Sequence, residues 1–162
     1  MTKYFKLVAD NRKARFDFTI LEVYKAGLIL TGSEVKSVRL GNVNLKDSFG
    51  RVDKSGAIWI YGLHISPYGS AAGDPLRPRK ILLNKRELLK LAGKTAEKGL
   101  TLIPLKLYFE GNWAKVDLGL AKSKKKYEKR EALRLREVKR EIEGAVKGKI
   151  RPSSRRSRDF GE

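Results

Sequence analysis

The sequence predicts a mainly β protein, a small antiparallel β-barrel with short helices and a basic C-terminal tail, on three observations. Several short segments alternate apolar and polar residues between turn signals, the period of half-buried strands. Helix-start and helix-stop signals interrupt them only twice, too seldom for a fold of alternating strands and helices. After Ala121 the period becomes helical and the composition turns basic.

From Arg15 onward, Phe16, Phe18 and Ile20 alternate with Arg15, Asp17 and Thr19, which predicts a strand. A turn at 25–27 and a second strand, GLILTG, follow. Thr31 and Glu34 have the spacing of a capping box, Val35 and Val38 supply an apolar face, and Gly41 suits a left-handed helix end. VNLKDSFGRVD and AIWIYGLHISPY read as two further strands, and the glycines and prolines of 66–79 read as a loop. Asn84 with Glu87 opens a second short helix through Leu88, Leu89 and Leu91 to Gly93. The clearest hairpin comes next: Ile103, Leu105, Leu107 and Phe109 share one face, and Ala114, Val116, Leu118 and Leu120 return on the matching face after Glu-Gly-Asn. In the tail, Ala132, Leu135, Val138, Ile142 and Ala145 form a thin helical stripe, opposed by like-charge pairs such as Arg136 and Arg140. From 148 the composition is that of a disordered end.

The formal charge is +19, from 37 Lys and Arg against 18 Asp and Glu, and nucleic acid is the commonest partner for such an excess. Residues 1–121 carry 21 cations and 11 anions, while 122–162 carry 16 and 7, so the last quarter holds about half the excess. A membrane-surface helix would need bulky apolar residues opposite its basic face, and beside Tyr127 the tail has only Phe160 as an aromatic. There is no cysteine, no apolar run of membrane-spanning length and no signal-peptide pattern, so the chain reads as soluble and cytoplasmic.

Catalytic patterns are scarce. His64 is the sole histidine and sits in a predicted strand, where it reads as a packing or edge residue. The glycines form neither a phosphate-binding loop nor a dinucleotide fingerprint. The chain is therefore expected not to be an enzyme and to need no metal or cofactor. A nuclease built on carboxylates and metal is the reading from another class, and a non-specific single-strand RNA-binding or ribosomal protein is the runner-up. Binding residues are better marked. Asn11, Arg12, Lys13 and Arg15 are placed by the strand prediction just before the first strand, where side chains reach phosphates. Lys106, Tyr108, Trp113 and Lys115 share the outward face of the hairpin, as rings and cations would on a nucleotide platform.

Whole phrases carry a further signal. NRKARFDFTILEVYKAGLILTGSEVKSVRLGNVNLKDSF, HISPY, DPLRPRKILLNKRELLKL, GLTLIPLKLYF and AKVDLGLAKSKKKYEKRE, in that order, closely resemble the SsrA-binding proteins, also called small protein B, over about 11–147. The resemblance implies an oligonucleotide-binding (OB) fold over 1–121 and a tail over 122–162, with a conditional helix at about 124–147 and a disordered end at 148–162. It implies an adaptor that binds the tRNA-like domain of transfer-messenger RNA (tmRNA) and brings it to stalled ribosomes for trans-translation. The tail would probe the empty mRNA channel at the small-subunit decoding centre. Elongation factor Tu and alanyl-tRNA synthetase would be partners through the shared RNA; no cofactor or membrane is implied, and a monomer is expected. Carried over by position, tmRNA contacts fall on Asn11, Arg12, Lys13, Arg15, Glu34, Lys36, Ser37, Lys80, Leu82 and Asn84. Ribosome contacts fall on Lys122, Lys124, Tyr127, Glu128, Lys129 and Arg130. The chain departs from the family's common residues at Lys25, Asn42, Ser123 and Glu128.

Overall fold

The computed structural model describes residues 4–97 and 99–149, which divide into two compact units at Lys124 and Lys125. The first unit is mainly β. In chain order it contains β1 (Phe5–Asp10), α1 (Arg12–Asp17), β2 (Phe18–Leu28), α2 (Gly32–Arg39), β3 (Val43–Asn44) and β4 (Phe49–Val52). Then follow β5 (Ile58–Tyr61), β6 (His64–Ile65), β7 (Arg79–Leu82), α3 (Lys85–Thr95), β8 (Leu100–Glu110) and β9 (Trp113–Ser123). The second unit holds α4 (Lys126–Lys149). The disordered end expected at 148–162 lies outside the described residues from 150 onward, and 148–149 are the last residues of α4. No helix among the described residues is long and apolar enough to cross a membrane.

All pairings are antiparallel. The large sheet runs β1-β8-β4-β5-β7-β2-β9, with an additional pairing of β9 with β8. The main core, which includes Ile58, Ile60, Ile81, Leu102, Leu107, Val116 and Leu118, lies on the inner face and is joined by Val38 of α2 and Leu91 of α3. Each such side chain contributes about 1.5–3 kcal/mol by leaving water.

The two capped helices and the long hairpin form where the sequence places them. Thr31 Oγ1 accepts from Glu34 N–H while Glu34 returns a carboxylate to Thr31 N–H, and Gly41 takes φ +82° after α2. Other segments differ. The predicted strand at 15–20 begins instead as a helix, because Asn11 caps α1 by accepting from Ala14 N–H. No turn breaks 25–27: β2 runs straight through, with Lys25 opposite Asp117. Each of the two middle strands splits in two. Gly62, at φ +73°, divides β5 from β6, and Asp47, at φ +61°, lies between β3 and β4. Two strands escaped the sequence reading, β1 and β7.

The hairpin also departs from strict alternation. A register shift between Pro104 and Lys106 inserts Leu105 as an extra residue. Leu102, Leu107 and Phe109 therefore face the main core, whereas Ile103 and Leu105 pack on the other face with Ala14 of α1 and Ala121. The bulge is what gives α1 an apolar seat.

Gly62 offers a direct check on this account. A Cβ there would lie 3.0 Å from the Asp47 carbonyl oxygen, in a left-handed conformation as well. Gly62→Ala is expected to lower stability by about 2–3 kcal/mol, read from the urea midpoint, since both the backbone angle and the close approach oppose a side chain.

Candidate nucleic-acid interface

The first basic group is built on α1. Asn11 is buried, its carboxamide N–H₂ donating to the carbonyls of Leu45 (3.1 Å) and Pro104 (3.0 Å) while its oxygen caps the helix. Its side-chain donors are both used inside the protein. Arg12, Lys13 and Arg15 are exposed beside it. Lys13 pairs with Asp47 at 2.6 Å, which raises the ammonium pKa, and Arg15 pairs with Asp10 at 2.7 Å. Lys124 joins this group from the end of β9: its backbone N–H donates to the Asp17 carbonyl (3.0 Å) and its ammonium to the Arg15 carbonyl (3.3 Å).

The second group surrounds α2. Glu34 not only caps the helix but accepts from two arginines. Its Oε1 takes Arg79 Nη2 at 2.7 Å and Nε at 3.0 Å, and its Oε2 takes Arg77 Nη2 at 2.7 Å. Arg79 is fully buried and donates as well to the carbonyls of Leu63 and Pro75, so one side chain gathers α2, the 66–78 loop and the start of β7. Burial of Glu34 acts to raise its pKa, but the Arg77 bond, the Thr31 N–H and the Arg79 bond outweigh it and bring the carboxyl down to about 2. Ser37, one of the tmRNA contacts the resemblance implies, is buried against the core. Lys36 is exposed, its ammonium 5.4 Å from the centre of the Tyr68 ring. A cavity of about 290 Å³ lies between Thr31, Glu34, Tyr68 and Arg77.

Lys80, Leu82 and Asn84 continue from Arg79 along β7 to α3, all three exposed, and Leu82 is 55% accessible. Asn84 N–H donates to Glu87 at 3.4 Å, starting α3 as its position implied. Arg77 and Arg79 were not singled out in the sequence. Their only local signal is two arginines spaced by one residue in a proline-rich loop, which does not reveal a carboxylate partner more than forty residues away.

On the hairpin, Lys106, Tyr108, Trp113 and Lys115 do share a face, but it is not open throughout. Tyr108 is buried, with Phe5 of β1 at 4.9 Å ring to ring and its hydroxyl donating to Asp117 at 3.1 Å. Burial, with the Asp117 bond, raises its phenol to about 12. Trp113 alone of the two rings is exposed.

In the first unit, Lys122 and Ser123 are strand residues, paired with Thr19 and Phe18. In the second, α4 opens with Glu128 accepting from Lys125 N–H at 2.8 Å, the reach a glutamate has from the third helical position. The departure at 128 therefore has a physical use in starting the helix. Tyr127 and Arg130 are exposed and Lys129 half-buried. Leu135, Val138 and Ile142 are exposed along the same helix.

Comparison with known proteins fits this layout. The family model for "SmpB protein" matches residues 8–148. The SsrA-binding protein of Carboxydothermus hydrogenoformans is 56% identical over 147 residues, covering 89% of this chain and 98% of the relative. That of Gloeobacter violaceus is 56% identical over 145 residues, covering 88% and 95%. A solved chain described as "tmRNA-SmpB: a journey to the center of the bacterial ribosome" superposes with a TM-score of 0.64 at 49% identity, covering 78% of this chain and 94% of that one.

Proposed function

The chain belongs to the SmpB protein family, and from that premise we propose that it is an RNA-binding adaptor for ribosome rescue. It binds the tRNA-like domain of tmRNA and delivers it to the A site of stalled ribosomes for trans-translation, and it works in the cytoplasm, where those ribosomes are. The observation that carries the reading is the family match, which spans both compact units, 8–148. The net charge of +19 agrees with a partner made of phosphates.

Roles follow from exposure. Arg12, Lys13, Arg15, Lys36, Lys80, Leu82 and Asn84 are assigned to RNA contact. Asn11, Glu34 and Ser37 are enclosed and act by holding those residues in place. Lys122, Lys124, Tyr127, Lys129 and Arg130 are assigned to the ribosome, with Glu128 fixing the start of α4. An apolar stripe this thin on a strongly charged helix folds best against walls that supply counter-charge, so an empty mRNA channel lined with phosphates is a fitting sensor partner. Chemistry is left to the RNA and the ribosome, and the chain itself is read as non-enzymatic. Elongation factor Tu and alanyl-tRNA synthetase would meet it through the RNA.

Filter binding tests the reading. The isolated tRNA-like domain is expected to bind far more tightly than an unrelated hairpin, with log Kd rising against log salt by about 4–7 for roughly five to eight neutralised phosphates. Equal affinity for the two RNAs would overturn it in favour of a general RNA binder. Loss of labelled RNA length only in the presence of magnesium would instead reveal a nuclease.

A further inference from the structure

We propose that the outer face of β4, β5 and β7 is a stacking platform for unpaired nucleotides of RNA, resting on the RNA-binding reading above, which already assigns Lys80 and Leu82 of β7, and extending it to β4 and β5. Alternation sends Ile58, Ile60 and Ile81 into the core and leaves Phe49, Arg51, Trp59, Tyr61, Lys80 and Leu82 on the other side.

The register then places these side chains in rows. Arg51 is directly opposite Trp59, and Trp59 is directly opposite Lys80, so an indole sits between two cations across three strands. Phe49 is opposite Tyr61 in the next row, and their rings stack at 5.7 Å with 19° between planes. Both cations are exposed, and among the described residues neither has an ion-pair partner.

Trp59 is held ready. Its indole N–H donates to Asp53 Oδ2 at 2.8 Å, and Asp53 Oδ1 in turn accepts from Ser55 N–H, Ser55 Oγ and Ala57 N–H, which fixes the turn before β5. Those donors occupy the Asp53 carboxylate. A ring fixed in advance loses little freedom when a base covers it, and cations on either side along the row can meet successive phosphates. An apolar protein partner would gain nothing from the two cations, and a paired helix hides the base faces that a ring needs. The chemistry therefore fits unpaired RNA.

The test uses the full chain carrying Trp113→Phe, so that Trp59 is the sole tryptophan, and titrates it with an oligoadenylate of about twelve nucleotides and with an RNA duplex of equal length, each long enough to cover one such face. Saturable quenching of Trp59 by the single strand and not by the duplex is expected. Adding Tyr61→Leu should weaken that titration about tenfold, and adding Arg51→Ala should lower its salt slope by about one. Absence of quenching, equal quenching by the duplex, or titrations that neither substitution changes would overturn the proposal. Affinity for the tRNA-like domain is measured in parallel. If that affinity is intact while Trp59 stays silent, this inference fails and the adaptor reading stands; if it is missing, the adaptor reading fails by itself.

Discussion

A chain ending at Lys124 is expected to hold the tRNA-like domain within about threefold of the full chain at physiological salt, yet to tag no product on stalled ribosomes. The cut is placed by the structure. Lys122 and Ser123 complete the pairing of β9 with β2, and Lys124 N–H bonds the Asp17 carbonyl, so ending the chain at Ala121 would unstitch a strand edge and confuse loss of fold with loss of function. After Lys124 the sheet, α1, α2 and the Glu34 cluster all remain. What goes is α4, which carries Leu135, Val138 and Ile142 exposed and pairs Lys139 with Glu143 at 4.0 Å. On the reading proposed above, such a helix gains its order from a partner, because most helical stability in proteins comes from packing an apolar face rather than from propensity. Binding is measured by filter retention and tagging by appearance of the tagged peptide in a reconstituted system programmed with a message lacking a stop codon. If binding falls with tagging by a hundredfold or more, the tail is a general RNA anchor rather than a sensor.

The parts of the fold legible in the sequence were those decided by neighbours in the chain. The long hairpin follows from alternation and a glycine turn, and both capped helices follow from a residue and its partner three positions on. Distant contacts decided the rest. RKARFD fits both a period of two and a short helix, and the choice is made by Asn11 reaching carbonyls 34 and 93 residues away. FKLVAD becomes β1 only because β8 has an edge free for it, and that strand then covers the Tyr108 ring that was read as part of an open platform. The site shows the same division. The cations of α1 and the tail start were plain, and so was the cap role of Glu34. That Glu34 also anchors Arg77 and Arg79, and that Ser37 turns inward, depends on how α2 packs on the sheet.

Glu34→Ala is expected to have the largest single-residue effect, a loss of about 3–5 kcal/mol, because it strands Arg79, a fully buried guanidinium, without its carboxylate. Acid should imitate it. The folded carboxyl titrates at about 2 against an ordinary value of 4.5, so its contribution is complete above about pH 4.5 and is lost as pH falls toward 2. Urea midpoints of the parent and of Glu34→Gln, compared from pH 7 downward, should therefore converge over that interval; a constant gap would mean the titration belongs elsewhere. Pairing Glu34→Leu with Arg79→Met removes both charges and should be less damaging than Glu34→Leu alone, since no buried ion is left unpaired. That pair of variants also separates two roles for Glu34 in RNA binding. If the carboxylate acts by holding the 66–78 loop and β7, affinity for the tRNA-like domain should follow stability and recover in part in the double variant. If it met the RNA itself, affinity would stay as low as in the single variant although the fold had returned.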